Sequence, residues 1–296
     1  MWSKGNYVHM KDFVRDAHKF GFTHIELNSI LTPEMLQQLL ETSVIKVSSV
    51  HCPCPVTYAS NGMWATELSL SALDYQTRKE AVEFGKKTID IASKVGAQAV
   101  VIHAGRVDIE SASEQRLRLF YKEGVVSSKE FDQTKELFIK ERNAKSPAHL
   151  EAAKESINTL LEYASATSIL IGLENRVHFY EIPTLDEMRD LLEEFDGRKI
   201  GYWHDVGHAE IFSRLGLIPH HEWLSCLGPK IIGAHLHDVI GIQDHYVPGV
   251  GTLNWDLVRH HLPQEAIRVC EIGEWNDPSN IEFVIPFLTR KGITGF

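Results

Sequence analysis

The feature that most constrains this chain is a regular alternation of short β-rich runs with longer amphipathic stretches. The β-rich runs are THIELN (23–28), KVSSVH (46–51), AVVIHAG (99–105), ILIGLENR (169–176), KIGYWHDVGH (199–208), IIGAHLHD (231–238) and IRVCEIG (267–273). Between them lie stretches such as MKDFVRDAHKF, TPEMLQQLLE, RKEAVEFGKKTIDIASKV, AAKESINTLLEYAS and TLDEMRDLLEEF. Their apolar residues recur every three or four positions, as one buried helix face requires. Thr32-Pro33 and Pro183-Thr184 supply helix starts, and Gly21, Gly96 and Gly197 supply stops. Alternation of this regularity implies parallel strands joined by crossover helices.

A parallel sheet with crossovers either closes into a barrel or stays open. The dinucleotide-binding form of the open sheet would carry a glycine-rich phosphate loop after its first strand, and none is present. The expected fold is therefore α/β, a single (β/α)8 TIM barrel over residues 1–296. Seven strands are plain in the pattern. The eighth is expected at the MWSKG start, ahead of the first helix. After the strand ending at His103, residues 106–149 are longer than a usual βα connection and read as a helical insertion over the barrel mouth. This segment carries Arg116, Arg118, Phe120, Tyr121, Lys122 and Arg142.

Composition narrows the class. At 43% hydrophobic and 24% charged the chain can build a large core. A net charge of −10 argues against gripping a phosphate backbone, which needs a basic face. No run approaches the roughly 18 apolar residues of a membrane span. The opening MWSKGNYVHMKDFVRD mixes charges without an apolar centre, so no leader is expected. Cys52, Cys54, Cys226 and Cys270 form no paired framework, which suits a reducing, cytoplasmic location.

Function is written in where the polar residues fall. His51 and His103 end their runs, as do Glu174, Asp205 with His208, and His235 with His237; Glu271 lies in the last run. In a (β/α)8 barrel the C-terminal ends of the strands converge on one mouth, where the active site sits. Glu174 and Glu271 lie inside apolar runs, and two buried glutamates need a cation or an arginine beside them. Asp205 could instead cap the next helix, and His51 and His103 could be hydrogen-bonded packing residues. His235 and His237 share a strand face, and only one of them need be a ligand. Glu, Asp, His and Glu make a hard oxygen–nitrogen set suited to one divalent metal: Mn, Mg, Co or Zn. Beside such an ion, a carboxylate can remove a proton from a carbon next to a carbonyl.

The ordered set VSSVHCP, VVIHAG, GLENR, HDVGHA, AHLHDVIG, HYVPGVGTLNW and EIG resembles the xylose-isomerase-like TIM-barrel superfamily. The resemblance runs from about Asp12 to Leu288 and leaves out the insertion. That superfamily includes sugar isomerases and epimerases, inosose-type dehydratases and abasic-site nucleases of the endonuclease IV type. In the isomerase branch, the residues matching Glu174, Asp205, His235 and Glu271 hold one metal, and the two glutamates exchange protons with the sugar. The resemblance implies that His208 faces the substrate and that Arg176 and Trp255 contact or support it; His237, beside His235 on the same face, is expected to touch the substrate or to stand behind the ligands. The nuclease branch holds three zinc ions, and His51, His103, His208 and His245 match its further ligands; in this chain a second metal is expected on His51, His103 and Glu174, while the third is short of a ligand. That branch has an aspartate where this chain has Gln243, and the neighbouring Asp244 is expected to point away in a regular extended segment.

The leading expectation is thus a metal-dependent isomerase or epimerase acting on a small sugar, sugar phosphate or polyol, with Glu174 and Glu271 as the catalytic pair. The alternatives are a multi-zinc phosphoesterase and a non-catalytic sugar-binding barrel. Barrels of this sort often pair, so a homodimer is compatible with the sequence, and no nucleic-acid or membrane partner is expected.

Overall fold

The structure is a computed structural model that describes residues 3, 5–41 and 45–295. In chain order its strands are β1 His24–Leu27, β2 Lys46–His51, β3 Ala99–Ile102, β4 Gly105–Arg106, β5 Leu170–Glu174, β6 Glu181–Ile182, β7 Ile200–Asp205, β8 Ile231–Leu236, β9 Asp238–Ile240, β10 Gln243–Tyr246 and β11 Ile267–Cys270. Seven of them form one parallel sheet in the order β1-β2-β3-β5-β7-β8-β11. Helices connect them, and the sheet curls into a nearly closed TIM barrel. The eighth strand expected at MWSKG falls mostly on residues 1, 2 and 4, which lie outside the described residues; Ser3 and Gly5 lie in turns. A cavity of about 110 Å³ opens along the seam between β1 and β11, and Glu26 and Glu271 both line it.

The two-residue period of the strands sorts side chains onto two faces. Val100, Ile102, Ile171, Leu173, Tyr202, Ala234 and Leu236 pack outward into the layer beneath the helices. Ala99, Val101 and Trp203 form a separate cluster inside the barrel, with Leu170, Ile232, Ile267 and Val269 against it. Trp203 fills this floor because Gly233 faces it across β7 and β8. A Cβ at Gly233 would overlap the indole ring. Continuing the inward period upward brings Glu174, Asp205 and His235 to the barrel's upper end. An apolar floor thus lies beneath a polar mouth.

The insertion consists of a helix over Ala112–Lys122 and the first half of a 36-residue helix over Lys129–Ala164. The sequence pattern suggests a break before AAKESINTLLEYAS, but the insertion and the crossover helix are one continuous rod through Pro147. Proline removes one helical hydrogen bond there. The rod is nevertheless anchored on both sides of it, by Phe138 and Arg142 before and by Ala153 and Ile157 after, all buried. Arg142, 1% exposed, forms a bidentate pair with Glu187 at 2.6 Å and donates to the carbonyls of Phe179 and Glu181. Glu187 also closes a capping box with Thr184 at the start of the helix Leu185–Glu194. The long helix thereby fixes the segment that follows β5.

Candidate metal centre

Glu174 ends β5, Asp205 ends β7, His235 lies near the end of β8, and Glu271 directly follows β11. Each offers one ligand atom, and the four atoms lie within 4.8 Å of one another. His235 Nδ1 is 2.9 Å from Glu174 Oε1, 3.1 Å from Glu271 Oε2 and 3.7 Å from Asp205 Oδ2. Glu174, Asp205 and His235 are buried. Three carboxylates around one imidazole leave net negative charge in the interior, at a cost of several kcal/mol per ion. A divalent cation among these donors would offset it, and their hard oxygen and nitrogen atoms suit one.

The electrostatics agree with that fit. Burial pushes the Glu174 carboxyl up, but His235 and His103 outweigh it and hold the group well below the usual carboxylate range. Glu271 is held well below that range too, by His235 and His245 against its burial. Asp205 falls to about 2, because His208 and His237 overcome burial. Burial lowers His235, yet Glu271, Glu26 and Glu174 lift it well above an ordinary histidine. A protonated His235 would offset one of the three carboxylate charges and leave the rest to a cation.

Asp205 both caps a helix and faces the centre. Its Oδ1 accepts from the His208 backbone N–H at 2.8 Å, at the start of the helix Val206–Arg214. Asn175 locks the ends of β5 and β7 together, accepting from Asp205 N–H and donating to its carbonyl. Gly207 lets this turn pass close to the mouth, since a Cβ there would overlap the His237 ring.

Two further groups flank the centre, each sharing one of its carboxylates. On the first flank, His51, His103 and Glu174 could hold an ion. His51 Nε2 is 3.3 Å and His103 Nε2 2.7 Å from Glu174 Oε2. Arg176 lies beside them: its Nη1 donates to His103 Nε2 at 2.5 Å and to Glu174 Oε2 at 3.2 Å. Its Nε and Nη2 donate to Glu181 Oε1 at 3.1 Å. Burial and the Arg176 charge lower His103 to about 4.

On the second flank, Asp205, His208 and His245 could hold an ion. His208 Nδ1–H donates to the Asn175 carbonyl at 2.9 Å, which turns Nε2 toward Asp244 Oδ2 at 3.7 Å. His245 Nδ1–H donates to Asp244 Oδ1 at 2.8 Å, and its Nε2 is 3.6 Å from Glu271 Oε2. Asp244 therefore does not point away, as a regular strand would require. His245 has φ of 61°, and the β9–β10 ladder is irregular between Gln243 and Tyr246, so the carboxylate swings into the mouth. Burial lowers His245, but Asp244 and Glu271 raise it to about 10.

Other residues singled out in the sequence have internal partners. His237 is fully buried; its Nε2–H donates to Asp205 and its Nδ1 accepts from His245 N–H, so it steadies Asp205. Trp255 Nε1–H donates to Asp238 Oδ2, whose carboxylate also accepts from Gly249 and Leu253 N–H. Both side chains hold the mouth together from behind. Sequence reasoning passes over Glu26, on β1. Glu26 Oε1 accepts from His235 Nε2–H at 3.0 Å, and Oε2 accepts from Ser49 at 2.6 Å. The signal is there, because Glu26 is a glutamate within an apolar strand, as Glu174 is.

Residues 14–289 match the family described as "Xylose isomerase-like TIM barrel". Among curated proteins, y4fM of Sinorhizobium fredii is 26% identical over 278 residues, 87% of this chain and 77% of that protein. A solved structure of a D-tagatose 3-epimerase-like protein superposes with a TM-score of 0.67 at 17% identity, covering 96% of this chain and 93% of that one. The TTHB071 protein of Thermus thermophilus, soaked with ZnCl2, superposes with a TM-score of 0.64 at 20% identity, covering 97% and 95%. At these identities the two superpositions show a shared fold.

Proposed function

The chain belongs to the xylose isomerase-like TIM-barrel family, and from that premise we propose that it is a divalent-metal-dependent isomerase or epimerase of a sugar, sugar phosphate or polyol. We read residues 1–296 as one catalytic domain, with Glu174, Asp205, His235 and Glu271 as ligands of one Mn, Mg, Co or Zn ion. The observation that carries the reading is the pair Glu174 and Glu271, which reach the same His235 nitrogen at 2.9 and 3.1 Å from different strands. Both are held ionised, so both are available as bases. The bound ion would supply a positive charge that favours an oxyanion on the substrate. One glutamate would take the proton from the adjacent carbon, and the other, having taken up a proton from water, would deliver it to that carbon, after which the first releases its proton to water. His208 presents Nε2 from the second flank as a substrate contact, and Arg176 orients Glu174 from the first.

The named likeness to a D-tagatose 3-epimerase-like protein supports this class of chemistry. The test is hydrogen exchange. Metal-loaded protein in D2O is offered ketoses, ketose phosphates and inososes (the keto forms of cyclic polyols), and the isotope content of the carbon beside the carbonyl is followed by NMR. We expect incorporation with one of these classes, and a loss of about 10²–10⁴-fold in Glu271→Gln. Metal content is measured in parallel, so that a lost ion is told apart from a lost base. Absence of exchange in every class would overturn the reading.

A second reading, phosphoester hydrolysis on two or three zinc ions, is favoured by the two flanking groups that share Glu174 and Asp205 with the centre. Asp244 adds to the second flank the carboxylate that Gln243 lacks. Arg176 opposes an ion on the first flank, because its guanidinium donates to the nitrogen that a metal would use. Cleavage of an abasic-site duplex or an aryl phosphate by zinc-loaded protein would move this reading ahead.

A further inference from the structure

Each carboxylate ligand of the proposed centre has a neighbour that fixes it, and His235 has one too. Its Nδ1 faces Glu174, Glu271 and Asp205, so Nδ1 is the atom turned toward the proposed ion. For Nδ1 to offer a lone pair, the ring proton must sit on Nε2. Nε2 lies 3.0 Å from Glu26 Oε1, and the imidazole is completely buried. Among the described residues, Glu26 is the acceptor that meets this nitrogen. Glu26 is itself held: its side chain is 6% exposed, and its second oxygen accepts from Ser49 Oγ, which β2 places beside β1.

We propose that Glu26 is a positioning residue for the metal centre, holding His235 as the Nε2–H tautomer so that Nδ1 faces the ion. This rests on the metal reading above. A ligating histidine whose other nitrogen donates to a carboxylate is both oriented and more basic, and loss of such a partner lowers metal affinity. Glu26 touches no reacting atom in this scheme. Its place on β1, at the seam where the sheet is not closed by hydrogen bonding among the described residues, ties the metal centre to the first strand of the barrel. Ser49 extends the tie to β2.

The test is titration of the metal-free full-length protein with Co2+, read by calorimetry and by the visible ligand-field spectrum. Wild type is compared with Glu26→Leu, Glu26→Gln and Ser49→Ala, and the melting of each metal-free protein reports folding. Glu26→Leu removes the acceptor and is expected to bind Co2+ about 10–100-fold more weakly, with a shifted spectrum. Glu26→Gln keeps an oxygen in reach of Nε2–H and should recover most of the affinity and the wild-type spectrum. Ser49→Ala, which only loosens Glu26, should show a smaller loss in the same direction and serves if Glu26→Leu does not fold. Equal affinities and spectra in wild type and in the folded variants would overturn the proposal while leaving the metal centre standing. Failure of the wild type to bind Co2+ at all would overturn the metal reading on which it rests.

Discussion

The two flanks of the central group are built from similar parts, two histidines and one shared buried carboxylate, yet they are charged differently. On the first, His51 and His103 meet Glu174 with Arg176 donating into the group. On the second, His208 and His245 meet Asp205 with Asp244 beside them, and the ion pairs of Asp244 among the described residues are with histidines. A guanidinium is a permanent cation that already satisfies the carboxylate and one imidazole nitrogen. A further carboxylate does the reverse and increases the demand for positive charge. Geometry alone would rank the flanks as equals. Charge ranks the second as the better place for any additional ion and the first as a place already filled.

Removing the arginine should break this comparison most visibly. Arg176→Met leaves Glu174 and Glu181 without their shared partner, and loss of one member of a buried pair costs about 3–5 kcal/mol. The metal-free variant should show that loss in urea unfolding, and it should bind more Zn2+ per chain than wild type by calorimetry, on His51 and His103. If its stability and zinc stoichiometry match wild type, the guanidinium is not what occupies the first flank.

The histidines sharpen the same contrast by stoichiometry. His51→Ala and His103→Ala should leave the number of bound ions unchanged. His208→Ala or His245→Ala should abolish any ion beyond the first at saturating Zn2+. Elemental analysis after gel filtration reads the outcome. A fall in bound zinc in the first pair, with none in the second, would reverse the ranking.

The two flanks also differ in their response to pH, and the effects have opposite signs. His103 is lowered in the folded protein from 6.5 to about 4. Between those values the unfolded chain binds a proton that the folded chain does not, so acidification through that window lowers stability. The side chain is 36% exposed, which damps the effect. His245 is raised from 6.5 to about 10, so the folded chain holds the extra proton. Its contribution is complete below pH 6.5 and is lost as pH rises toward 10. In metal-free protein, His103→Asn should flatten the acid limb of a stability–pH profile and His245→Asn the alkaline limb. Identical profiles in both variants would remove the electrostatic distinction between the flanks.

How much of this is legible in the sequence differs from element to element. KVSSVH reads as a strand with the bounds that the structure shows, because it is a short β-rich run with a polar end, set between two amphipathic stretches. Glu174, Asp205, His235 and Glu271 are legible because a charged residue inside an apolar strand needs a reason. The continuity of the helix Lys129–Ala164 is hidden, since the sequence separates an insertion over 106–149 from AAKESINTLLEYAS, and the packing of Arg142 against Glu187 that anchors the rod is not written in any local period. Asp244 is misplaced by pattern alone because its direction depends on a positive φ at His245, which no period reports. The second role of Arg176 is not readable either. Its position two residues after Glu174 is visible, but its reach to His103 depends on how β3 and β5 pair.

The central claim is that one divalent ion sits among Glu174, Asp205, His235 and Glu271 while Arg176 keeps the His51–His103 flank free of metal. Anomalous X-ray diffraction at the zinc edge, on crystals of protein loaded with Zn2+, tests it most directly. The account predicts an anomalous peak bonded to His235 Nδ1 and the three carboxylates, and none between His51 and His103. A peak on His51 and His103, or no peak among the central four, would contradict it.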